Sequence, residues 1–295
     1  MKVLVLGARG QLGAAIERVA PASWDLIMAD RSMADLAVPG HAAGSIAATK
    51  PHAVINAAAW TEVDRAEEQE PLATRINGIA VGEVAEACSR VGASLLQVST
   101  DYVFDGSGHA PWTEESEPAP LNAYGRGKLV GERACRGHGR ACVVRTSWLH
   151  SSHGRNFIRT ILRHACERTS LRVVDDQIGA PTQADWLAAT IVSITEHGAA
   201  HGGLPPILHA VPVGHASWHA VACHAVRTAA SLGMALQCSA EAITAVTSAD
   251  YPLKAMRPRN SRLDARCLDS LLARPRPSWH EGVEATVRQI VQMQP

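Results

Sequence analysis

The sequence lacks an excess of charge of either sign. Its 28 lysines and arginines are matched by 28 aspartates and glutamates, so the formal net charge at pH 7 is zero. Binding to a nucleic-acid backbone depends on surplus positive charge, usually gathered in a basic stripe. No such stripe is present in the sequence. We therefore expect no nucleic-acid partner.

Long hydrophobic runs are also missing. The apolar stretches, such as "KVLVLGA", have the length of a strand and fall far short of a membrane span. The opening "MKVLVLGARG" shows neither an extended apolar region nor a small-residue cleavage site. We expect a cytoplasmic protein with no signal peptide and no membrane partner.

The cysteines lack the spacing of a disulfide framework or a zinc site. They are seven in number, irregularly spaced and without a Cys-x-x-Cys pair. Free thiols in a reducing compartment are the simpler interpretation. The fourteen histidines are scattered, and His215, His219 and His224 do not share one helix face. They are expected on the surface or in loops, with no metal site.

What the sequence does contain is an alternation of apolar strands and helices. Strands are predicted at "KVLVLG", "DLIMAD", "HAVINAAA", "SLLQVST" and "ACVVRTSW", and helices between them, including one over residues 72–91. Nearly continuous apolar strands separated by helices are typical of a parallel sheet covered on both faces. The predicted fold class is α/β, a Rossmann-like doubly wound parallel sheet with a smaller, partly interleaved C-terminal substrate domain.

The alternation of strands and helices becomes irregular after about residue 150, where prolines are more frequent. We expect a dinucleotide-binding domain over residues 1–148 and a substrate-binding domain over residues 149–295. Segments near 181–212 and 255–270 are expected to return to the first domain.

The first motif that carries chemistry is "GARGQLG", with Gly7, Gly10 and Gly13 between the first strand and the first helix. At this place a parallel sheet presents backbone N–H groups and the positive end of a helix to a pyrophosphate. The G-x-x-G-x-x-G spacing is one residue wider than the usual dinucleotide fingerprint. The motif predicts a bound dinucleotide.

The end of the second strand gives a mixed signal about which dinucleotide is bound. Asp30 could accept hydrogen bonds from ribose hydroxyls, which favours NADH because a carboxylate repels a 2′-phosphate. Arg9 and Arg31 lie beside it and could neutralise that phosphate. Small residues after the third strand, Asn56 to Ala59, would let a flat cofactor approach, although core packing explains them equally well.

Two residues of "NAYGRGKLVGE" indicate acid–base chemistry. Tyr124 and Lys128 are four positions apart, so their side chains leave one helix face together. A nearby ammonium lowers the pKa of a phenol, which can then act as a general acid. Ser99 and Thr100 end the fourth strand, where open parallel sheets collect ligands, and could hold a reacting carbonyl.

Several blocks of the sequence together resemble the extended short-chain dehydrogenase/reductase family. They are "GARGQLG", "VINAAAWTEVDRAE", "VSTDYVFDG", "NAYGRGKLVGE", "VRTSW", "GRNFIRTILR", "VVDDQIGAPT" and "RPRNSRLD", and they span almost the whole chain. Within the family, "STDYVFDG", "DDQIGAPT" and "RPRNSRLD" are similar to the reductases of dTDP-linked 4-keto-6-deoxy sugars. The resemblance implies NADPH-dependent reduction of the C4 keto group of dTDP-4-dehydro-6-deoxy-L-mannose, with NADH as an alternative cofactor. The product could enter lipopolysaccharide O-antigen, another surface glycan or an antibiotic, and the sequence does not distinguish them.

The resemblance assigns roles to individual residues. Thr100 would orient the keto oxygen, Tyr124 would protonate it, and Lys128 would lower the tyrosine pKa and bind the nicotinamide ribose. Asp101 and Trp148 are expected at the sugar, although Trp148 could instead be a core residue. The remaining cofactor contacts are expected from Gly7, Gly10, Gln11, Leu12, Gly13, Asp30, Asp35, Leu36, Ala57, Ala58 and Ala59.

Departures from the family pattern bear on the reaction and the assembly. Related dehydratases carry Asp-Glu after the catalytic threonine, whereas Asp101 and Tyr102 follow Thr100 here, which weighs against dehydration. Some relatives form a metal-linked dimer through an acid on the first helix, where this chain has Ala15. We therefore name no metal ligand and leave open both Mg²⁺ dependence and a homodimer.

Three functions remain in competition at this point. They are the 4-keto reductase, another nucleotide-sugar reductase or epimerase of the family, and a non-catalytic regulatory subunit with the same fold. The intact Thr100, Tyr124 and Lys128 favour an enzyme over the regulatory subunit.

The block "RPRNSRLD" places Arg257, Arg259 and Arg262 within six residues. A guanidinium suits phosphate oxygens, so we expect Arg257 or Arg259 to bind the diphosphate of the sugar nucleotide. Capping of helices or pairing with surface acids is the alternative for these arginines.

Overall fold

The structure, a computed structural model, describes residues 1–293. Its centre is a sheet of six parallel strands in the order β10-β5-β4-β3-β1-β2. These strands are β1 Lys2–Leu6, β2 Asp25–Ala29, β3 Ala53–Asn56, β4 Ser94–Thr100, β5 Ala141–Thr146 and β10 Ile207–His209. The predicted Rossmann-like parallel sheet is confirmed.

Helices cover both faces of this sheet because its strands carry apolar side chains on both sides. Val3, Leu4, Val5 and Leu6 of β1 are all fully buried, and they divide between two separate apolar clusters. The helices of the first half are α1 Gln11–Val19, α2 His41–Thr49, α3 Val63–Glu68, α4 Glu70–Thr74, α5 Ala80–Val91 and α6 Ala123–Cys135.

The single helix predicted over residues 72–91 is wrong in detail. Its first part is α4, a π-helical turn follows over Arg75–Ile79, and α5 completes it. The wider turn carries Asn77, whose buried amide accepts from the backbone N of Trp60 at 2.8 Å and donates to the Trp60 carbonyl at 3.0 Å. Apolar periodicity alone does not reveal such a polar anchor.

The second half adds helices and short strands. The helices are α7 Phe157–Glu167, α8 Ala184–His201, α9 Trp218–Ser231, α10 Arg266–Leu272 and α11 Trp279–Gln292. The strands are β6 Leu149–His150, β7 Leu171–Val174, β8 Ile178–Gly179, β9 Thr182–Gln183, β11 Ala216–Ser217, β12 Ile243–Val246 and β13 Asn260–Ser261.

Two elements of the second half lie against the first. Helix α8 packs on α1, and β10 extends the central sheet next to β5. Helices α7, α9 and α11 instead share an apolar cluster of their own. Among the described residues, no helix is both long enough and apolar enough to span a membrane.

Candidate active site

The predicted site residues gather at the carboxyl edge of the central sheet. The chain runs from β1 outward to β2 in one direction and then continues with β3 and β4 in the other. This reversal leaves a crevice between β1 and β3, the usual place for a ligand in an open parallel sheet. The glycine loop follows β1, while Thr100 ends β4 on the far side of β3.

The glycine loop packs tightly against the end of β3. Gly7 has φ +84°, and a Cβ placed on it would lie 2.7 Å from the backbone N of Ala58. A larger residue is therefore excluded by both conformation and space. Gly10, which has no side chain to cap α1, directly precedes that helix. This arrangement suits a phosphate at the start of α1.

The first helical residue, Gln11, has side-chain contacts that the sequence did not predict. Its Oε1 accepts hydrogen bonds from Ser151 Oγ at 2.9 Å and Asn156 Nδ2 at 2.8 Å. The amide is thus joined to the loop before α7. Leu12 is buried in the core, so it can reach a phosphate only through its backbone N–H group.

The predicted adenosine end is built around Asp30, directly after β2. Its carboxylate accepts from the backbone N and hydroxyl of Ser32 at 2.9 and 2.6 Å, and Arg9 Nη2 lies 2.7 Å away. These hydrogen bonds and the Arg9 charge hold the pKa of Asp30 below its usual value. Asp35 instead accepts from the Ala37 backbone, and Leu36 is buried in the apolar cluster on one face of the sheet.

The three residues predicted to be catalytic are brought together. Tyr124 lies beside Thr100, and the Tyr124 ring meets the Tyr102 ring edge-on, with centroids 5.7 Å apart. Burial raises the pKa of Tyr124 to about 12, and the charge of Asp101 adds to that rise. Tyr124 is therefore a neutral phenol near pH 7, which is the form that can donate a proton.

Lys128 is buried one helical turn after Tyr124. Its Nζ donates a 2.6 Å hydrogen bond to the carbonyl oxygen of Val98 on β4. Burial lowers the pKa of Lys128 to about 8. Lys128 is not among the groups that shift the pKa of Tyr124 in the structure, so the lowering expected from this ammonium stays a prediction.

Asp101 lies beside the threonine, where its Oδ1 is 3.0 Å from Thr100 Oγ1. Burial raises the pKa of this carboxyl to about 7, and the hydroxyls of Ser261 and Thr100 limit the rise. Its other oxygen, Oδ2, is buried and has no hydrogen-bond partner among the described residues. A protonated Asp101 is thus accessible near neutral pH.

Trp148 contacts two residues, Trp218 and Gly179, with which no sequence motif linked it. Its backbone is left-handed, with φ +50°, and its ring stacks on Trp218 at a centroid distance of 3.6 Å. Gly179 lies beneath the indole, and a Cβ on it would be 2.6 Å from the Trp148 ring. The ring is half-buried, so it packs on the second apolar cluster while keeping an exposed part.

The arginines of "RPRNSRLD" differ in their surroundings. Arg257 is paired with Asp64 on α3, and Arg262 contacts the Asn260 side chain at 3.0 Å. Arg259 is 72% exposed, and its nearest acid, Asp176, is 3.8 Å away. Of the two predicted diphosphate ligands, Arg259 therefore has the less engaged guanidinium.

No three His, Cys, Asp or Glu side chains within residues 1–293 are grouped so that they could hold a metal ion. The seven cysteines are free thiols. His215 is exposed, but the expectation of surface or loop positions is wrong for His219 and His224, which are half-buried on α9. Each has its own partner, the Ile243 carbonyl at 3.0 Å and Glu284 at 3.2 Å respectively.

The chain is similar to known proteins over nearly its full length. A dTDP-4-dehydrorhamnose reductase of Shigella flexneri is 35% identical and covers 98% of both chains. One of Burkholderia thailandensis is 36% identical and covers 99% of both. The crystal structure of the dTDP-4-dehydrorhamnose reductase of Bacillus anthracis in complex with NADP superimposes with a TM-score of 0.89, at 32% identity and over 98% of this chain and 99% of that one.

The family model described as "RmlD substrate binding domain" matches residues 1–292, which is nearly the whole length. Together with the full-length relatives, this match settles the family. The chain belongs to the RmlD substrate binding domain family.

Proposed function

We propose that the protein reduces the C4 keto group of dTDP-4-dehydro-6-deoxy-L-mannose to give dTDP-L-rhamnose, with NADPH as the electron donor. The observation that carries the proposal is the placement of Tyr124 beside Thr100 at the end of β4, with Lys128 buried one turn further along α6. The Shigella and Burkholderia relatives are named for this activity.

The residues around the crevice fit a dinucleotide. The close approach of Gly7 to Ala58 leaves no room for side chains between the glycine loop and β3. The side-chain-free start of α1 suits the pyrophosphate, and Asp30 suits a ribose hydroxyl. Arg9, already beside Asp30, could turn to a 2′-phosphate, which supports NADPH together with the NADP bound to the Bacillus anthracis protein.

Each catalytic side chain has a distinct task in the proposal. NADPH, when bound, supplies the hydride for C4. Tyr124, a neutral phenol near pH 7, donates its proton to the oxygen of the reduced keto group. Thr100, beside the same phenol, orients that oxygen. Lys128 holds the nicotinamide ribose and provides positive charge close to the phenolate that forms.

Substrate contacts are assigned to the opposite wall of the crevice. Asp101 and the exposed part of the Trp148 ring would face the sugar, and Arg259, or Arg257 with it, would bind the diphosphate. We further propose that residues 1–148, with the segments near 181–212 and 255–270, form the cofactor domain, and that the remaining residues from 149 onward form the substrate domain. The positions of β10 in the central sheet and α8 on α1 support this division.

A direct assay tests the proposed function. The protein is mixed with NADPH and the dTDP-4-keto sugar, the loss of nicotinamide absorbance is followed, and the sugar product is identified by NMR. Tyr124→Phe should abolish turnover while cofactor still binds, and Tyr251→Phe, at a half-exposed tyrosine, should leave it unchanged. An epimerase or a regulatory subunit would consume no NADPH, and that result would overturn the proposal.

A further inference from the structure

The catalytic face of α6 continues one turn beyond Lys128. Tyr124, Lys128 and Glu132 are spaced by four residues each, so they follow one another along the same side of the helix. Glu132 is 1% exposed, and it points at the sheet rather than at water. Its partner is Arg145 on β5, which is completely buried.

This ion pair is closely made. Arg145 Nε lies 3.0 and 3.2 Å from the two carboxylate oxygens of Glu132, and Nη2 lies 2.6 Å from Oε2. The guanidinium is also packed over the Phe104 ring at 5.0 Å, and its Nη1 is 3.4 Å from His209 Nε2. Both charges are thus fixed in orientation.

The pair joins α6 to the part of the sheet that carries the site. Arg145 is paired across the ladder with Ser99 of β4. Val98, on one side of Ser99, accepts the Lys128 hydrogen bond, and Thr100, on the other side, lies beside Tyr124. The ion pair therefore fixes α6 in the position at which Lys128 reaches the Val98 carbonyl and Tyr124 lies beside Thr100.

A fully buried ion pair adds little to the free energy of unfolding. The free energy needed to remove both charges from water is about as large as their attraction. Apolar residues of similar volume often stabilise a protein equally. Glu132 lies one helical turn after Lys128, which is a second buried cation. Its negative charge is therefore placed to stabilise the Lys128 ammonium.

We propose that Glu132, oriented by Arg145, is a positioning residue that keeps Lys128 in its ammonium form and directed at the Val98 carbonyl. The inference rests on the proposed function, because it concerns the lysine of the same catalytic set. Without the carboxylate, Lys128 would lie in a dry site with neutral groups and an unpaired Arg145 cation nearby, and it would lose its proton more easily.

The other groups around the pair are uncharged near neutral pH. Burial lowers the pKa of His209 to about 3, so its imidazole is neutral. Burial raises the pKa values of the nearby thiols to about 12, and these thiols belong to Cys88, Cys135 and Cys142. Of the neighbouring charges, that of Glu132 has the largest effect on Lys128, and it favours the ammonium form.

The test compares three variants with the wild-type protein. Glu132→Gln removes the charge at constant shape, and Glu132→Asp keeps it. Glu132→Gln combined with Arg145→Met also removes the buried cation that the single change would leave without a partner. Steady-state kinetics over pH 6 to 10 yields kcat, KM for NADPH and the alkaline limb of kcat/KM, and thermal unfolding reports stability. Labelled-lysine NMR, with Lys128→Met for assignment, measures the Lys128 pKa without any substrate.

Glu132→Gln and the double variant should both move the alkaline limb to lower pH by about one unit or more and raise KM for NADPH about tenfold. Glu132→Asp should restore most of the wild-type profile. A double variant that folds and keeps the wild-type limb and Lys128 pKa would overturn the proposal, as would failure of both charge-free variants to fold, since the role would then be structural. Absence of wild-type turnover would count against the proposed function instead, and the NMR titration would still decide the role of Glu132.

Discussion

Arg257 and Asp64 form a two-pronged ion pair, with Nη1 2.6 Å from Oδ1 and Nη2 2.6 Å from Oδ2. The same Nη1 donates to the Ala255 carbonyl at 2.6 Å, and the Arg257 side chain hydrogen bonds lower the pKa of Asp64. The contact ties the segment after residue 254 to α3, across 193 positions of the chain. Arg257 therefore has a structural partner that any phosphate would have to displace.

Replacing Arg259 should change substrate binding, whereas replacing Arg257 should change stability. Arg259→Ala should raise KM for the sugar nucleotide roughly ten- to a hundredfold, because a charge-assisted bond is worth about 1.5–3 kcal/mol, and leave Tm unchanged. Arg257→Ala should lower the free energy of unfolding by about 1–2 kcal/mol, between the values for exposed and buried pairs. Steady-state kinetics with each substrate varied, together with urea unfolding, checks both. A normal KM in Arg259→Ala would move the diphosphate site elsewhere.

The sequence predicts those parts of the fold and site that depend on residues close together in the chain. Five of the six parallel strands follow from apolar runs, whereas β10 was not predicted. The shared face of Tyr124 and Lys128 follows from their spacing on α6. The glycine loop was located for the same reason, since its turn, the strand before it and the helix after it are contiguous.

Contacts between distant segments could not be predicted. Gln11 gave no sign that Asn156 would bond to it, and nothing linked Asp64 to Arg257. The raised pKa of Tyr124 was missed for a related reason. A spacing of four shows that an ammonium is near, whereas the loss of water around the phenol depends on the whole surrounding fold.

The stacking of Trp148 on Trp218 depends on the space left by Gly179. Gly179→Ala would place a methyl group where the Trp148 ring lies and so force the two indoles apart. We expect KM for the sugar nucleotide to rise about tenfold, roughly the effect of one lost contact, with KM for NADPH unchanged. The near-ultraviolet circular dichroism of the stacked indoles should weaken in parallel.

Gly203→Ala provides the matched control, because a Cβ at Gly203 meets nothing within 4 Å. If Gly179→Ala alters the dichroism but not KM for the sugar nucleotide, Trp148 has no part in substrate binding.

Cofactor choice should depend on Arg9. Its guanidinium is 86% exposed and 2.7 Å from Asp30, so it can either neutralise that carboxylate or bind a 2′-phosphate. Arg9→Ala should raise KM for NADPH about tenfold and change KM for NADH by less than about twofold. Parallel assays with the two cofactors measure this, with Arg136→Ala as an exposed control. Equal losses with both cofactors would remove Arg9 from phosphate recognition.

Asp101 should make stability depend on pH. Its carboxyl has a pKa of about 7 in the folded protein, against an ordinary value of 3.8. A raised folded-state pKa means that the group's contribution to stability is fully present below about pH 4 and is lost as the pH rises to about 7. Asp101→Asn removes this titration.

The free energy of unfolding of the wild type should therefore fall relative to that of Asp101→Asn by about 2–3 kcal/mol between pH 5 and pH 8, at 1.36 kcal/mol per pKa unit. Urea unfolding of both proteins at the two pH values measures the difference. Asp25→Asn, at an exposed carboxylate, should follow the wild type. Parallel stability curves for the wild type and Asp101→Asn would mean that Asp101 is ionised throughout this range, and its carboxylate would then face the substrate as a fixed negative charge.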